Sequence, residues 1–202
     1  MKRENEKVKV ILCVGALGSG KDTMADRLVS LGVVEKHGKF AKHLKDVVSS
    51  LFFIPRRLMD DRKAKNTSPA LAGGKTIGQL LQWFGTELVR AVNPYLWCST
   101  LWRSMQTEIN GEWYAYDFAV SDCRFLNEAE YFMEDEAFDT RIIYLTREMQ
   151  DSRDATHPSE TGRFDILEKY GQDPRFMVIT NHAMTLGESF HALNVLIENG
   201  VL

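Results

Sequence analysis

Apolar positions recur along this chain with two different periods, and their alternation predicts the architecture. Val8 to Val14 is an almost unbroken apolar run, the composition of a strand buried on both faces. Met24, Ala25, Leu28 and Val29 then recur at helical spacing, and that helix is expected to end near Leu31-Gly32. Val33 to Ala41 can supply a short second strand. A helix over Lys42 to Phe53 comes next, with Leu44, Val47, Val48 and Leu51 as its apolar positions and Pro55 as its stop. Thr76 to Val92 predicts another helix, striped by Ile77, Leu80, Leu81, Phe84 and Leu88. Asn93-Pro94 reads as an N-cap followed by proline at the first helical position, opening a helix through Trp97, Leu101 and Trp102 toward Gln106. Asn110-Gly111 is a tight-turn pair leading into a strand region from Trp113 to Ser121, and Arg141 to Thr146 and Phe176 to Thr180 are further strands. Thr185-Leu186-Gly187-Glu188 fits a capping box for a closing helix striped by Leu186, Phe190, Leu193 and Leu196. Roughly five strands alternating with helices predict a three-layer α/β fold, a parallel sheet with helices on both faces.

One stretch escapes both periods. From Pro55 to Lys75, Arg56, Arg57, Arg62, Lys63 and Lys65 are interleaved with Asp60 and Asp61, and Pro69, Gly73 and Gly74 come after them. It reads as an irregular excursion, either covering a bound substrate or simply forming solvated surface. The length of 202 residues suits one domain spanning 1–202, with a substrate-binding excursion near 55–110 and a lid-like loop near 147–162. A net charge of −3 supplies no general basic field for nucleic acid or an acidic membrane surface. No apolar run approaches the roughly 20 residues of a membrane span. Lys2 and Arg3 precede an apolar segment too short for a signal peptide. The three cysteines, an odd number without C-x-x-C spacing, suit a reducing, cytoplasmic compartment. A small soluble ligand fits this composition, and a homodimer is left open.

The chemistry concentrates at the end of the first strand. Gly15-Ala16-Leu17-Gly18-Ser19-Gly20-Lys21-Asp22-Thr23 has the spacing G-x-x-x-x-G-K between a strand and a helix. Glycines let successive backbone N–H groups curl around a diphosphate, the helix presents its positive end, and Lys21 adds an ammonium for the terminal phosphates. Asp22 stands where the general pattern has a Ser or Thr magnesium ligand, with Thr23 behind it. Asp122 follows a predicted buried strand, where a carboxylate can hold hydrated magnesium, or can serve merely as a turn or helix cap. Arg124, two residues on, offers a planar fork for a phosphate. Arg147 and Arg153 lie in a polar stretch after a late strand and could close on a transferring phosphoryl group, and His157 beside them reads as structural. Lys42 and Lys45 in the first turns of a helix run against its dipole, so they are either solvated or matched by an anionic ligand. Gln79, Gln82, Thr86 and Arg90 share a predicted helix face that can read a base edge and a phosphate, or is an ordinary polar face. Trp97 is a candidate for the acceptor as well as for the core.

Six stretches in order resemble phage-type deoxynucleoside monophosphate kinases of the phosphate-loop kinase superfamily. They are Gly18-Ser19-Gly20-Lys21-Asp22-Thr23, Phe40-Ala41-Lys42-His43-Leu44-Lys45-Asp46, Gln82-Trp83-Phe84-Gly85-Thr86-Glu87, Ser121-Asp122-Cys123-Arg124, Asp154-Ala155-Thr156-His157-Pro158-Ser159-Glu160 and Val178-Ile179-Thr180-Asn181. The Lys-Asp-Thr ending of the loop is itself a form this family uses. The resemblance implies that Gly15 to Thr23 hold the phosphates of ATP. It implies that Asp122, Arg124 and Glu128 form the magnesium and acceptor side, that Gln82 lies at the acceptor nucleotide, and that Asn181 opens a loop beside the adenine. It implies ATP and Mg2+ as cofactors and a deoxynucleoside monophosphate as substrate. At Gly78-Gln79 the family has basic residues, so the acceptor phosphate clamp falls to Arg90 or the 55–75 excursion. Animal-type phosphomevalonate kinases share the Gly-Lys-Asp loop and are the nearest alternative. A nucleotide switch is the other alternative, although the base-reading N-K-x-D of GTP switches is missing from the sequence.

Overall fold

A strand can lie buried on both faces only if neighbouring strands take all its backbone hydrogen bonds and helices cover it above and below. The computed structural model, which describes residues 1–3, 6–61, 63–147, 158–181 and 186–202, meets both conditions at the first apolar run. In chain order the strands are β1 (Lys2–Arg3), β2 (Val8–Gly15), β3 (Lys36–Gly38), β4 (Gln106–Ile109), β5 (Glu112–Ala115), β6 (Phe118–Val120), β7 (Phe138–Arg147) and β8 (Phe176–Asn181). The α-helices are α1 (Lys21–Ser30), α2 (Phe40–Phe52), α3 (Ile77–Gln82), α4 (Val89–Val92), α5 (Leu96–Ser104), α6 (Leu126–Met133), α7 (Pro158–Tyr170) and α8 (Leu186–Glu198). The chain divides into two compact units, one of Met1–Lys39 with Arg103–Leu202 and one of Phe40–Trp102.

In the first unit, five parallel strands lie in the order β3-β6-β2-β7-β8. The register places Leu12 between Val120 and Ile142, and Ile11 between Ala119 and Arg141. Successive residues therefore serve opposite faces. On one face Ile11, Cys13, Ala119, Ile143 and Ile179 share a core with Met24, Ala25 and Leu28 of α1 and Leu193 of α8. On the other, Phe132 of α6 meets Phe118 and Phe138 edge-on, with ring centroids 5.7 and 5.1 Å apart. This is the expected three-layer α/β fold. Burying each Leu, Ile or Phe contributes about 1.5–3 kcal/mol, so the strand ends rest on a rigid base.

Part of this unit departs from the pattern of the sequence. The predicted strand Trp113 to Ser121 is two strands in two sheets, because the chain turns at Tyr116-Asp117. There the Asp117 carboxylate accepts from Lys9 N (2.7 Å) and its carbonyl accepts from Glu35 N and Lys36 N (2.9 and 3.1 Å). β5 pairs instead with β4 and β1 in an antiparallel sheet of three strands. The helix expected to run toward Gln106 ends at Ser104, since the Asn110-Gly111 turn zips Gln106 against Ala115. Asn110 and Gly111 both take positive φ (55° and 82°), as a two-residue hairpin turn requires.

In the second unit, Val48 of α2 is packed with Ile54, Met59, Ala72, Ile77, Leu80 and Leu81, and Leu44 leans on that cluster. Val47 and Leu51, expected beside them, are 45% and 57% exposed. Positions 44 and 48 form one i,i+4 line and 47 and 51 another, and only the first is covered. Short 3₁₀ turns at Arg56–Met59, Ala64–Asn66 and Ala70–Ala72 fill the irregular stretch. The helix predicted over 76–92 is interrupted by a π-helical segment, Trp83–Leu88. One residue inserted in a helix rotates the succeeding turns by roughly 100°. The buried line accordingly passes through Gly85, while Leu88 is 43% exposed. Gln82, Thr86 and Arg90 do not continue one straight face, and Gln79 is spent on a capping box with Thr76. Among the described residues no helix is long and apolar enough to cross a membrane.

Candidate active site

Parallel strands bring their carboxyl ends to one edge of the sheet, which is where the first unit gathers its polar residues. β2 ends at Gly15, where φ is +152° and an added Cβ would press into the Leu145 carbonyl of β7 and come within 2.7 Å of Ser19 Oγ. No other residue can make this approach. Gly20 precedes α1 in the left-handed conformation (φ 94°) and provides no side-chain cap to the start of the helix. Ser19 Oγ is buried and has no hydrogen-bond partner among the described residues. Lys21 Nζ donates to the carbonyls of Gly15 and Ala16, each at 2.7 Å, which ties its ammonium to the loop. Amides at a helix start, a tethered ammonium and an orphaned hydroxyl together suit a polyphosphate.

Asp22, the next residue, is held on one oxygen. Its Oδ1 accepts from Ser121 Oγ at 2.5 Å and from Lys39 Nζ at 2.7 Å, with His37 Nε2 at 3.8 Å. Burial pushes its carboxyl up, but the hydrogen bonds from Lys39 and Ser121 and the nearby positive charge hold it below the ordinary carboxylate range. His37 Nε2 lies 2.7 Å from Ser121 Oγ, and His37 Nδ1 lies 2.7 Å from Asp26 Oδ1. Sequence motifs do not single out Asp26, His37 or Lys39. The one available signal was the basic pair His37 and Lys39 at the end of the short predicted strand. Among the described residues no cluster of three or more His, Cys, Asp or Glu side chains can hold a metal by itself. Magnesium bound to a polyphosphate takes its remaining ligands from phosphate and water and needs one or two carboxylates. Asp22 and Asp122, the latter adjoining Ser121, supply carboxylates for that requirement, and Thr23 adds a hydroxyl.

Beyond β6 the chain passes Asp122 and Arg124 into α6. Glu128, 3% exposed, reaches back so that its Oε2 accepts from Arg124 N (2.7 Å) and Phe125 N (3.1 Å). This carboxylate fixes the backbone that carries Arg124 and completes the start of α6. Gly162 of α7 lies against the same segment, and a Cβ there would collide with the Arg124 carbonyl and stand 3.4 Å from Phe125 Cα. At the next strands, Arg147 and Asn181 are paired in register at the ends of β7 and β8. Their side chains, and Arg153 and His157 altogether, lie outside the described residues.

The second unit holds the remaining candidates. Lys42 pairs with Asp46 (3.0 Å), Lys45 with Asp60 (2.7 Å), and Arg56 bridges Asp46 and Asp60. The lysines that oppose the α2 dipole thus have carboxylate partners. Gln82 is exposed, and Thr86 and Arg90 are half-buried. Trp97 is 7% exposed and donates its Nε1 hydrogen to the Gly85 carbonyl at 3.1 Å, inside the π-helical segment.

No protein-family profile and no curated protein sequence matches the chain. Among solved structures, it is similar to dephospho-CoA kinase from Campylobacter jejuni, at 14% identity and a TM-score of 0.51, covering 96% of this chain and 100% of that one. It also aligns with shikimate kinase from Bacteroides thetaiotaomicron (14% identity, TM-score 0.46, 96% and 99% covered) and thymidylate kinase from Candida albicans (14%, 0.43, 96% and 93%). At such identity the first likeness speaks for the fold, and the chain has the three-layer α/β fold of that enzyme.

Proposed function

We propose that this protein is an ATP-dependent deoxynucleoside monophosphate kinase, transferring the γ-phosphoryl group of ATP to an acceptor phosphate to give a diphosphate and ADP. The observation that carries the reading is the loop from Gly15 to Lys21, with its uncapped helix start and its tethered ammonium. The six stretches that resemble the phage-type enzymes, and a fold shared with dephospho-CoA kinase, support it.

The loop amides and Lys21 hold the donor phosphates and offset the negative charge that spreads over the transferring group. Asp122, with Asp22 and Thr23, would hold the water shell of magnesium, which when bound neutralises the phosphate oxygens. Arg124 grips the acceptor phosphate, on a backbone stiffened by Glu128. Arg147 and Arg153 are assigned to closure over the transferring group, Asn181 to the adenine, and Gln82, Thr86 and Arg90 to the acceptor, with Lys42 and Lys45 as secondary phosphate contacts. The attacking phosphate oxygen is already ionised at neutral pH, so positioning and charge neutralisation suffice and no general base is required.

The test is coupled ADP release over a panel of nucleoside and deoxynucleoside monophosphates, with phosphomevalonate included. Turnover dependent on a deoxynucleotide is expected. Turnover with phosphomevalonate alone would reassign the acceptor, and no acceptor-dependent turnover would remove the kinase reading.

A further inference from the structure

Behind Asp22 runs a chain of contacts whose other members have no role in the transfer chemistry proposed above. It begins at Asp26 of α1, crosses to His37 of β3 and Ser121 after β6, and returns to α1 at Asp22, with Lys39 closing on the same carboxylate. We propose that Ser121 and His37, backed by Asp26, are positioning residues that hold the Asp22 carboxylate beside Lys21 in the nucleotide site. This rests on the nucleotide-binding reading of the loop.

Hydrogen accounting gives the chain its direction. Both Asp22 and Asp26 accept, and Ser121 has one hydroxyl hydrogen, which the 2.5 Å contact assigns to Asp22 Oδ1. His37 Nε2 lies 2.7 Å from that oxygen and His37 Nδ1 lies 2.7 Å from Asp26 Oδ1, so the imidazole ring bridges Ser121 and Asp26. Lys39 is the second donor on Asp22.

The economy of the arrangement separates positioning from packing. Asp22 has a side chain 66% exposed, whereas the Ser121 hydroxyl that restrains it belongs to a residue 2% exposed and the His37 side chain is 15% exposed. An exposed aspartate in the first turn of a helix is already favoured by the helix dipole and needs no buried partner for stability. What the buried pair adds is orientation. Among the described residues these contacts all fall on Oδ1, which leaves Oδ2 for a partner outside this chain of contacts. The ends of β3 and β6 thus converge on one oxygen of the residue after the loop lysine. Neither Ser121 nor His37 has to touch the nucleotide to act in this way.

The experiment is isothermal titration of ADP, with and without Mg2+, into wild type, Ser121→Ala, Ser121→Thr, Asp22→Asn and the double variant Ser121→Ala/Asp22→Asn. His37→Phe, which keeps a planar ring and removes both ring nitrogens, gives the same reading if Ser121→Ala fails to fold. Ser121→Ala or His37→Phe is expected to reduce the Mg2+-dependent gain in ADP affinity about tenfold, the scale of one charge-assisted hydrogen bond. Ser121→Thr should restore it, and in the Asp22→Asn background neither change should have further effect. Unchanged Mg2+-dependent affinity, or losses that add fully to that of Asp22→Asn, would overturn the proposal while leaving nucleotide binding intact. Wild-type protein that binds no nucleotide would instead overturn the underlying reading, and the positioning role with it.

Discussion

Replacing Glu128 tests whether the segment carrying Arg124 is built as described, independently of any substrate. Its Oε2 accepts two backbone N–H bonds at 2.7 and 3.1 Å from a residue 3% exposed. Hydrogen bonds to a charged group contribute about 1.5–3 kcal/mol each, but these two share one oxygen and sum to roughly 3 kcal/mol. Glu128→Ala also empties buried volume, adding about 1–2 kcal/mol, for an expected loss of about 3–5 kcal/mol. Glu128→Gln keeps the shape and an accepting oxygen while losing the charge beside the helix start, so about 1–2 kcal/mol is expected. Urea denaturation followed by far-ultraviolet circular dichroism, with the m value compared across variants, measures both. A Glu128→Ala protein within about 0.5 kcal/mol of wild type, the range of ordinary surface changes, would refute the buried clamp.

Gly162→Ala in α7 should destabilise by about 1–3 kcal/mol through collision with the Arg124 carbonyl, although Gly→Ala inside a helix normally gains about 0.5–1 kcal/mol; a raised Tm would contradict this packing. Burial pushes Asp60 up, but Lys45 and Arg56 hold it below the ordinary carboxylate value of 3.8. A lowered native value means stability that is present above about pH 4 and lost as pH falls through the native value. Asp60→Asn should therefore cost about 0.5–1 kcal/mol near pH 6, a surface-pair magnitude for a side chain 58% exposed, and almost nothing near pH 2; an equal loss at both would show that charge is not the cause. Cys13, Cys98 and Cys123 are all buried, and burial pushes the Cys13 thiol up to about 12. Ellman's reagent should label none of them rapidly in the native protein and all of them in denaturant; fast native labelling would show that the layers open.

Much of the polar edge of the sheet is legible in the residues because its determinants are local. A run from Val8 to Val14, a glycine loop and a helical stripe are contiguous, and steric rules at Gly15 and Gly20 admit little else. Asp122 and Arg124 are likewise found by their place after a strand. The π-helical segment at Trp83–Leu88 escapes periodicity, since it depends on the close approach of Leu44 to Gly85 and on the Trp97 bond to the Gly85 carbonyl. The split of residues 113–121 between two sheets is also tertiary, decided by Asp117 meeting Lys9, Glu35 and Lys36.

Sequence order by itself determines the loop, the layer pattern and the identity of Asp22 as the residue after the lysine. What holds Asp22 is a matter of tertiary structure alone. Ser121 is 99 positions away, His37 lies on another strand, and Lys39 directly follows that strand. Hydrophobic periodicity reports which face of an element is covered, whereas a polar chain through three elements exists only once parallel pairing has brought their ends to one edge.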